Sequence, residues 1–143
     1  MVTATWVPPM QFAGTAPRGA PVVIDATPDD GGLGTSPTPM ENLLLSLAAC
    51  TGMDVVSILR KKRIKLEDLR IDVTGERAAT HPRIFTSIHL HYTMRGLGLS
   101  TESARKAVDL SLDKYCSVAG MLKRAAKITY DIHMPAETTE VAS

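Results

Sequence analysis

Cys50 and Cys116 are the two thiols of this 143-residue chain, and a thiolate is the protein side chain best suited to attack an oxidant. Two thiols can also close a disulfide, provided the fold brings their Cα atoms within about 7 Å. In a reducing compartment such a bond is transient and chemical rather than a permanent staple. The plainer alternative is a pair of inert residues, because free cysteine is among the most buried residue types. Local sequence separates the two thiols. Cys116 directly precedes Ser117, where a helix is expected to begin, with Lys114 nearby, and both the helix dipole and the ammonium favour a thiolate. Cys50 falls in the middle of an apolar helical stretch, and Asp54 one turn on opposes a thiolate. On local residues alone, Cys116 is expected to be the more acidic thiol, while Cys50 needs an activator from elsewhere, such as an arginine.

Other chemistry has less to stand on. His89 and His91 lie two apart on one expected strand and point the same way, and with His81 or His133 they could approach a metal. No Cys, Asp or Glu sits beside them at ligand spacing, so no metal site is expected. The run Arg60-Lys61-Lys62-Arg63 reads as cations closing a helix rather than as a localisation signal. There is no phosphate-binding glycine fingerprint, no serine nucleophile elbow and no internal repeat. A formal charge of +1 argues against a nucleic-acid partner that depends on a strong basic field. No N-terminal pattern reads as a signal peptide, and the apolar stretch Leu43 to Met53 stops at Asp54, too short to span a bilayer. A soluble, cytoplasmic protein without a membrane partner is the expectation.

The elements that must position the thiols follow from patterning. Residues 1–143 are expected to form one domain, with only 4% aromatic residues, so aliphatics and Met must fill its core. Residues 1–35 hold short strands around Ala4 to Val7, Met10 to Ala13 and Pro21 to Asp25, broken at Pro8-Pro9, followed by a loop from Thr27 to Thr35. Thr38-Pro39-Met40-Glu41 is a capping box that opens a helix over 38–62. That helix is apolar on nearly every side, which predicts burial in a core. Residues 66–95 alternate as an antiparallel hairpin turning around Ala79 to Pro82, with Thr86 as the one polar residue on its apolar face. Ser100 or Thr101 caps the first of two helices over 100–125, a strand over 127–134 follows, and the polar tail Glu137 to Ser143 is expected to fray. The order defines an α+β fold.

Ser36-Pro37-Thr38-Pro39-Met40-Glu41, the apolar helix through Ala48-Ala49-Cys50, Pro82-Arg83-Ile84-Phe85-Thr86 and Lys114-Tyr115-Cys116-Ser117-Val118 together resemble the OsmC/Ohr family over nearly the whole chain. The resemblance implies an antiparallel sheet around a long buried central helix, in an intertwined homodimer. It implies a thiol-dependent peroxidase for organic hydroperoxides in oxidative-stress defence. Cys50 would attack to give a sulfenic acid and Cys116 would resolve it to a disulfide. An external dithiol of lipoyl or thioredoxin type would reduce that bond, with no metal or organic cofactor.

The family also uses an arginine from the N-terminal strands, for which Arg18 lies in the corresponding region, and an acidic residue ten positions before the cysteine, where this chain has Met40. Glu41 is nine positions before Cys50, which places it about half a turn away on the opposite helix face, where capping accounts for it. These departures resemble a less characterised branch. The alternative they suggest is a protein that binds a lipophilic ligand at the dimer interface, in an apolar cleft lined by Met40, Met53 and Met121.

Overall fold

The computed structural model describes residues 1–135; the tail from Glu137 to Ser143 lies outside the described residues. The chain forms two compact units that divide between Leu45 and Ser46, within one continuous helix.

The first unit is an antiparallel meander of β1 (Thr3–Val7), β2 (Gln11–Thr15) and β3 (Val22–Ile24). Its strands are short because Pro8-Pro9 and the Pro17 to Pro21 segment interrupt them. Trp6 and Phe12 face each other across β1 and β2, and both are exposed. The loop that follows is organised by one carboxylate. Asp25 is buried and accepts from the backbone N–H groups of Ala26, Leu33 and Thr35, from the Thr35 hydroxyl and from the Gln11 amide. Burial raises its pKa, but these hydrogen bonds outweigh it and bring the carboxyl down to about 2. Helix α1 (Pro39–Lys61) then opens on the expected capping box: the Thr38 N–H donates to Glu41 Oε1 at 3.0 Å and the Glu41 N–H donates to Thr38 Oγ1 at 3.3 Å.

The second unit holds the rest of α1 with β4 (Lys65–Arg77), β5 (Phe85–Leu97), α2 (Thr101–Leu110), a π-helical turn (Ser111–Tyr115), α3 (Ser117–Leu122) and β6 (Lys127–His133). β4 and β5 form the expected antiparallel hairpin. The sheet departs from an all-antiparallel one at its last strand, because β6 pairs parallel to β5, from Ser87 opposite Lys127 to Thr93 opposite His133. The two intervening helices are the reason: they form a crossover long enough to return the chain to the end of the sheet where β5 began.

β5 faces inward with Phe85, Ile88, Leu90, Tyr92 and Met94. Thr86 breaks the alternation because the register shifts there: Arg77 pairs with Phe85 but Glu76 pairs with Ser87, a β-bulge at Thr86. The bulge moves Phe85 into the core in place of Ile84, which is exposed. Gly75 on β4 makes room, since a Cβ there would lie 2.6 Å from the Phe85 ring.

Helix α1 is apolar all round but is not covered all round. Leu47, Thr51, Val55 and Leu59, spaced four apart, form a fully buried ridge, while Met53 is 71% exposed and Leu45 56%. A helix face is buried only where something packs on it, and among the described residues only one side of α1 is covered. By length and composition α1 would suffice to cross a membrane, with a mean hydropathy of 1.7 over its best window. Its buried ridge and the polar bonds of Thr51 and Asp54 described below are those of a core helix.

A candidate thiol site

Cys50 lies on α1 next to the buried ridge and is half-buried; Cys116 is buried, and both are free thiols. The fold brings them near one another: Cys50 is among the neighbours that raise the Cys116 thiol. Cys116 occupies the N-cap of α3, as its place before Ser117 predicts, and its Sγ accepts from the Ala119 N–H at 3.3 Å. The expected acidity does not follow. Burial is the largest influence on the thiol and pushes it up; the Ala119 N–H pulls down, but Cys50 and the Asp54 charge push up again, to about 11. One N–H at the head of a six-residue helix does not offset a dry site. Lys114 gives no help, because its Nζ sits 5.2 Å from the centroid of the exposed Tyr115 ring.

Beside the thiols runs a buried chain of hydroxyls. Tyr92 Oη and Thr51 Oγ1 are 2.8 Å apart, Ser111 Oγ is 2.8 Å from Thr51 Oγ1, and it is also 2.8 Å from Asp54 Oδ2. Ser111 Oγ is placed to donate to Thr51 Oγ1 and to Asp54 Oδ2, and its single proton serves one of them at a time. Burial pushes the Tyr92 phenol far above its usual range, so it keeps its proton. The π-helical turn matters here: it buries Ser111 against α1, and the Ser111 carbonyl accepts from the Cys116 N–H at 2.7 Å. Gly52 lets α1 approach the sheet, since a Cβ there would meet Ile71 Cδ1 at 3.2 Å.

Two clefts adjoin α1 in this unit. One, of about 480 Å³, is lined by Asp54, Ser57, Ile58, Lys61, Leu110 and Tyr115, among others. The other, of about 590 Å³, is an apolar groove between α1 and β4 that includes Ala49, Met53, Val56, Leu69 and Ile71. Of the methionines expected to share a pocket, Met53 lines this groove; Met121 on α3 is exposed and lines neither cleft. Met40 is half-buried at the start of α1. Glu41 is exposed and engaged in the helix cap, and its Thr38 hydrogen bonds lower its pKa. Arg18 is exposed in the turn between β2 and β3.

The sequence reading missed Asp54, Ser111, Thr51 and Tyr92 as a connected set, and it missed the partner of the histidines. Asp131 on β6 binds His89 Nε2 with one oxygen at 2.6 Å and His91 Nδ1 with the other at 2.7 Å, while His89 Nδ1 meets Thr129 Oγ1 at 2.7 Å. The cluster is exposed, and no group of three metal-type side chains arranged to hold an ion is found among the described residues.

Two free thiols near one another, one on a long helix and one capping a short helix over a mixed sheet, define a class of α+β thiol protein. The OsmC-like protein family model matches residues 31–131. Escherichia coli YhfA is 39% identical over 131 residues, which are 92% of this chain and 95% of YhfA. The structure of a hypothetical protein from Aquifex aeolicus VF5 matches with a TM-score of 0.77 at 30% identity, over 94% of this chain and 96% of that one. The organic hydroperoxide resistance protein OhrB of Bacillus subtilis has the same fold, with a TM-score of 0.63 at 16% identity over 93% of this chain and 96% of its own. This chain belongs to the OsmC-like family.

Proposed function

We propose that this chain is a thiol-dependent peroxidase for organic hydroperoxides, acting in oxidative-stress defence in the cytoplasm. The observation that carries the reading is the nearness of Cys50 to Cys116, two free thiols far apart in sequence, close enough for one to shift the other. The half-buried Cys50 is the one a substrate reaches. Its sulfur attacks the terminal peroxide oxygen, the O–O bond breaks, an alcohol leaves and Cys50 becomes a sulfenic acid. Cys116 then displaces water to form the disulfide, and an external dithiol of lipoyl or thioredoxin type restores both thiols. No metal or organic cofactor is required. The hydroperoxide-resistance relatives of the same fold support the substrate class.

A homodimer belongs to this reading. Its support is the apolar surface each unit leaves open: Trp6, Phe12 and Val22 in the first, and the Met53 face of α1 with its groove in the second. An activating arginine for Cys50, with Arg18 as the residue to substitute, is also part of the proposal. The groove equally favours the second reading, binding of a lipophilic ligand at the dimer interface.

Consumption of cumene hydroperoxide with excess dithiol separates the two. The expected result is turnover by the wild type and none by Cys50→Ser. Turnover that survives in Cys50→Ser, or none in the wild type alongside a co-purified lipid in native mass spectrometry, contradicts the peroxidase reading.

A further inference from the structure

The resolving step asks something of the site that the two cysteines do not supply. Cys116 must lose its proton to attack, and it is buried, with its sulfur already held by the Ala119 N–H. A proton acceptor is therefore needed on the protein side of the pair. Asp54 lies one helical turn beyond Cys50, about 40° around and about 6 Å along α1, on the same face. Its Oδ2 is fixed by Ser111, whose carbonyl also fixes the Cys116 backbone. Ser111 links this oxygen to the Thr51 and Tyr92 hydroxyls, and its bond to Asp54 is made on Oδ2 rather than Oδ1. Asp54 also lines the cleft with Ser57, Lys61 and Tyr115, which connects it to solvent.

We propose that Asp54 is the general base of disulfide formation, held in place by the Tyr92–Thr51–Ser111 chain. This deepens the peroxidase reading and rests on its order of attack by Cys50 and resolution by Cys116. The Cys116 proton passes to the Asp54 carboxylate as the Cys116 sulfur attacks Cys50 sulfenic acid. The S–S bond forms, the S–O bond breaks, and Asp54 returns the proton to the departing hydroxide, so that water leaves. Cys116 is oxidised, the Cys50 sulfenic sulfur is reduced, and no further reactant enters. Tyr92, Thr51 and Ser111 are positioning residues in this scheme. The charged and titratable groups around Asp54 are Cys50, Lys61 and Lys62 from α1 and its end, Tyr92 from β5, Tyr115 from the π-helical turn and Cys116 at the cap of α3.

The test uses 4,4′-dithiodipyridine on the reduced, full-length protein, so that it does not depend on peroxide chemistry. The reagent forms a mixed disulfide at the accessible Cys50, releasing one thione, and Cys116 then displaces the second. The leaving thione needs no proton, so the second phase reports removal of the Cys116 proton. Wild type is expected to give a second-phase rate nearly flat from pH 6 to 8. Asp54→Asn is expected to slow that phase by about 100-fold at pH 7 and to make it rise tenfold per pH unit. Asp54→Glu is expected to recover most of the rate.

A merely electrostatic role predicts the reverse, because removing a charge that opposes the thiolate accelerates the step. An equal or faster second phase in Asp54→Asn overturns the proposal, as does an Asp54→Glu protein as slow as Asp54→Asn. If the Asn protein does not fold, a wild-type rate that rises tenfold per pH unit overturns it alone. Failure of the peroxidase reading shows separately, as absence of sulfenic acid or disulfide when wild type meets cumene hydroperoxide.

Discussion

Strand β5 carries two polar networks on opposite faces, and they differ in what surrounds them. Tyr92 points inward, to Thr51, Ser111 and Asp54, where all three hydroxyl residues are fully buried. His89 and His91 point outward to Asp131, where each side chain is at least 39% exposed. The outer cluster has shorter contacts and charged partners, and by composition it looks the more functional of the two. Water decides otherwise. Exposed pairs exchange one set of good hydrogen bonds for another, whereas a buried hydroxyl without its partner loses the whole of its desolvation. The inner network also links a phenol that keeps its proton to Asp54, one helical turn from Cys50.

The largest effect that sharpens this contrast concerns Cys116 itself. With its thiol near 11, the thiolate fraction at pH 8 is roughly 100-fold below that of an unperturbed cysteine. Site-resolved alkylation with iodoacetamide should therefore be slower at Cys116 than at an unfolded control by about two orders of magnitude at pH 8, and should keep rising about tenfold per pH unit until pH nears 11. The raised value has a stability counterpart: burial of the neutral thiol contributes fully below the unfolded value near 8.5 and is lost as pH climbs through about 11. Alkylation at the control rate at pH 8 breaks the account of a dry site.

A smaller effect compares the two faces by substitution. Ser111→Ala strips the donor from Asp54 and a partner from Thr51, and should cost about 1–3 kcal/mol in chemical denaturation. Asp131→Asn on the outer face should cost under about 1 kcal/mol. The His89 hydrogen bond, more than any other contact, holds the Asp131 carboxyl below its usual range, so the wild-type contribution is present above the ordinary carboxylate pKa. It fades as pH falls through the lowered value, and Asp131→Asn should flatten only that acid limb. Equal costs on the two faces contradict the comparison.

Much of this was legible in sequence, and the exceptions have physical causes. The Thr38–Glu41 cap, α1 and the β4–β5 hairpin follow from local spacing, and so does the N-cap position of Cys116. The acidity of Cys116 did not follow, because the sequence shows the helix start but not the burial that overrides it. Thr86 was visible as a break in alternation, but only the pairing reveals a bulge that swaps Ile84 for Phe85. The hydroxyl chain joins positions 41, 57 and 60 residues apart, each an ordinary polar residue in its own segment. Its one local signal was polar Thr51 on the otherwise aliphatic ridge of Leu47, Val55 and Leu59. Asp131 was missed because its strand returns parallel to β5 from 40 residues away.

The central claim is that the two thiols act as one redox centre. Reduced protein mixed with one equivalent of cumene hydroperoxide, then alkylated and digested for mass spectrometry, tests it most directly. The account predicts loss of two thiols per chain and a single cross-linked peptide pair containing Cys50 and Cys116. Two thiols still free, or a disulfide joining Cys50 to Cys50 between chains, would contradict it.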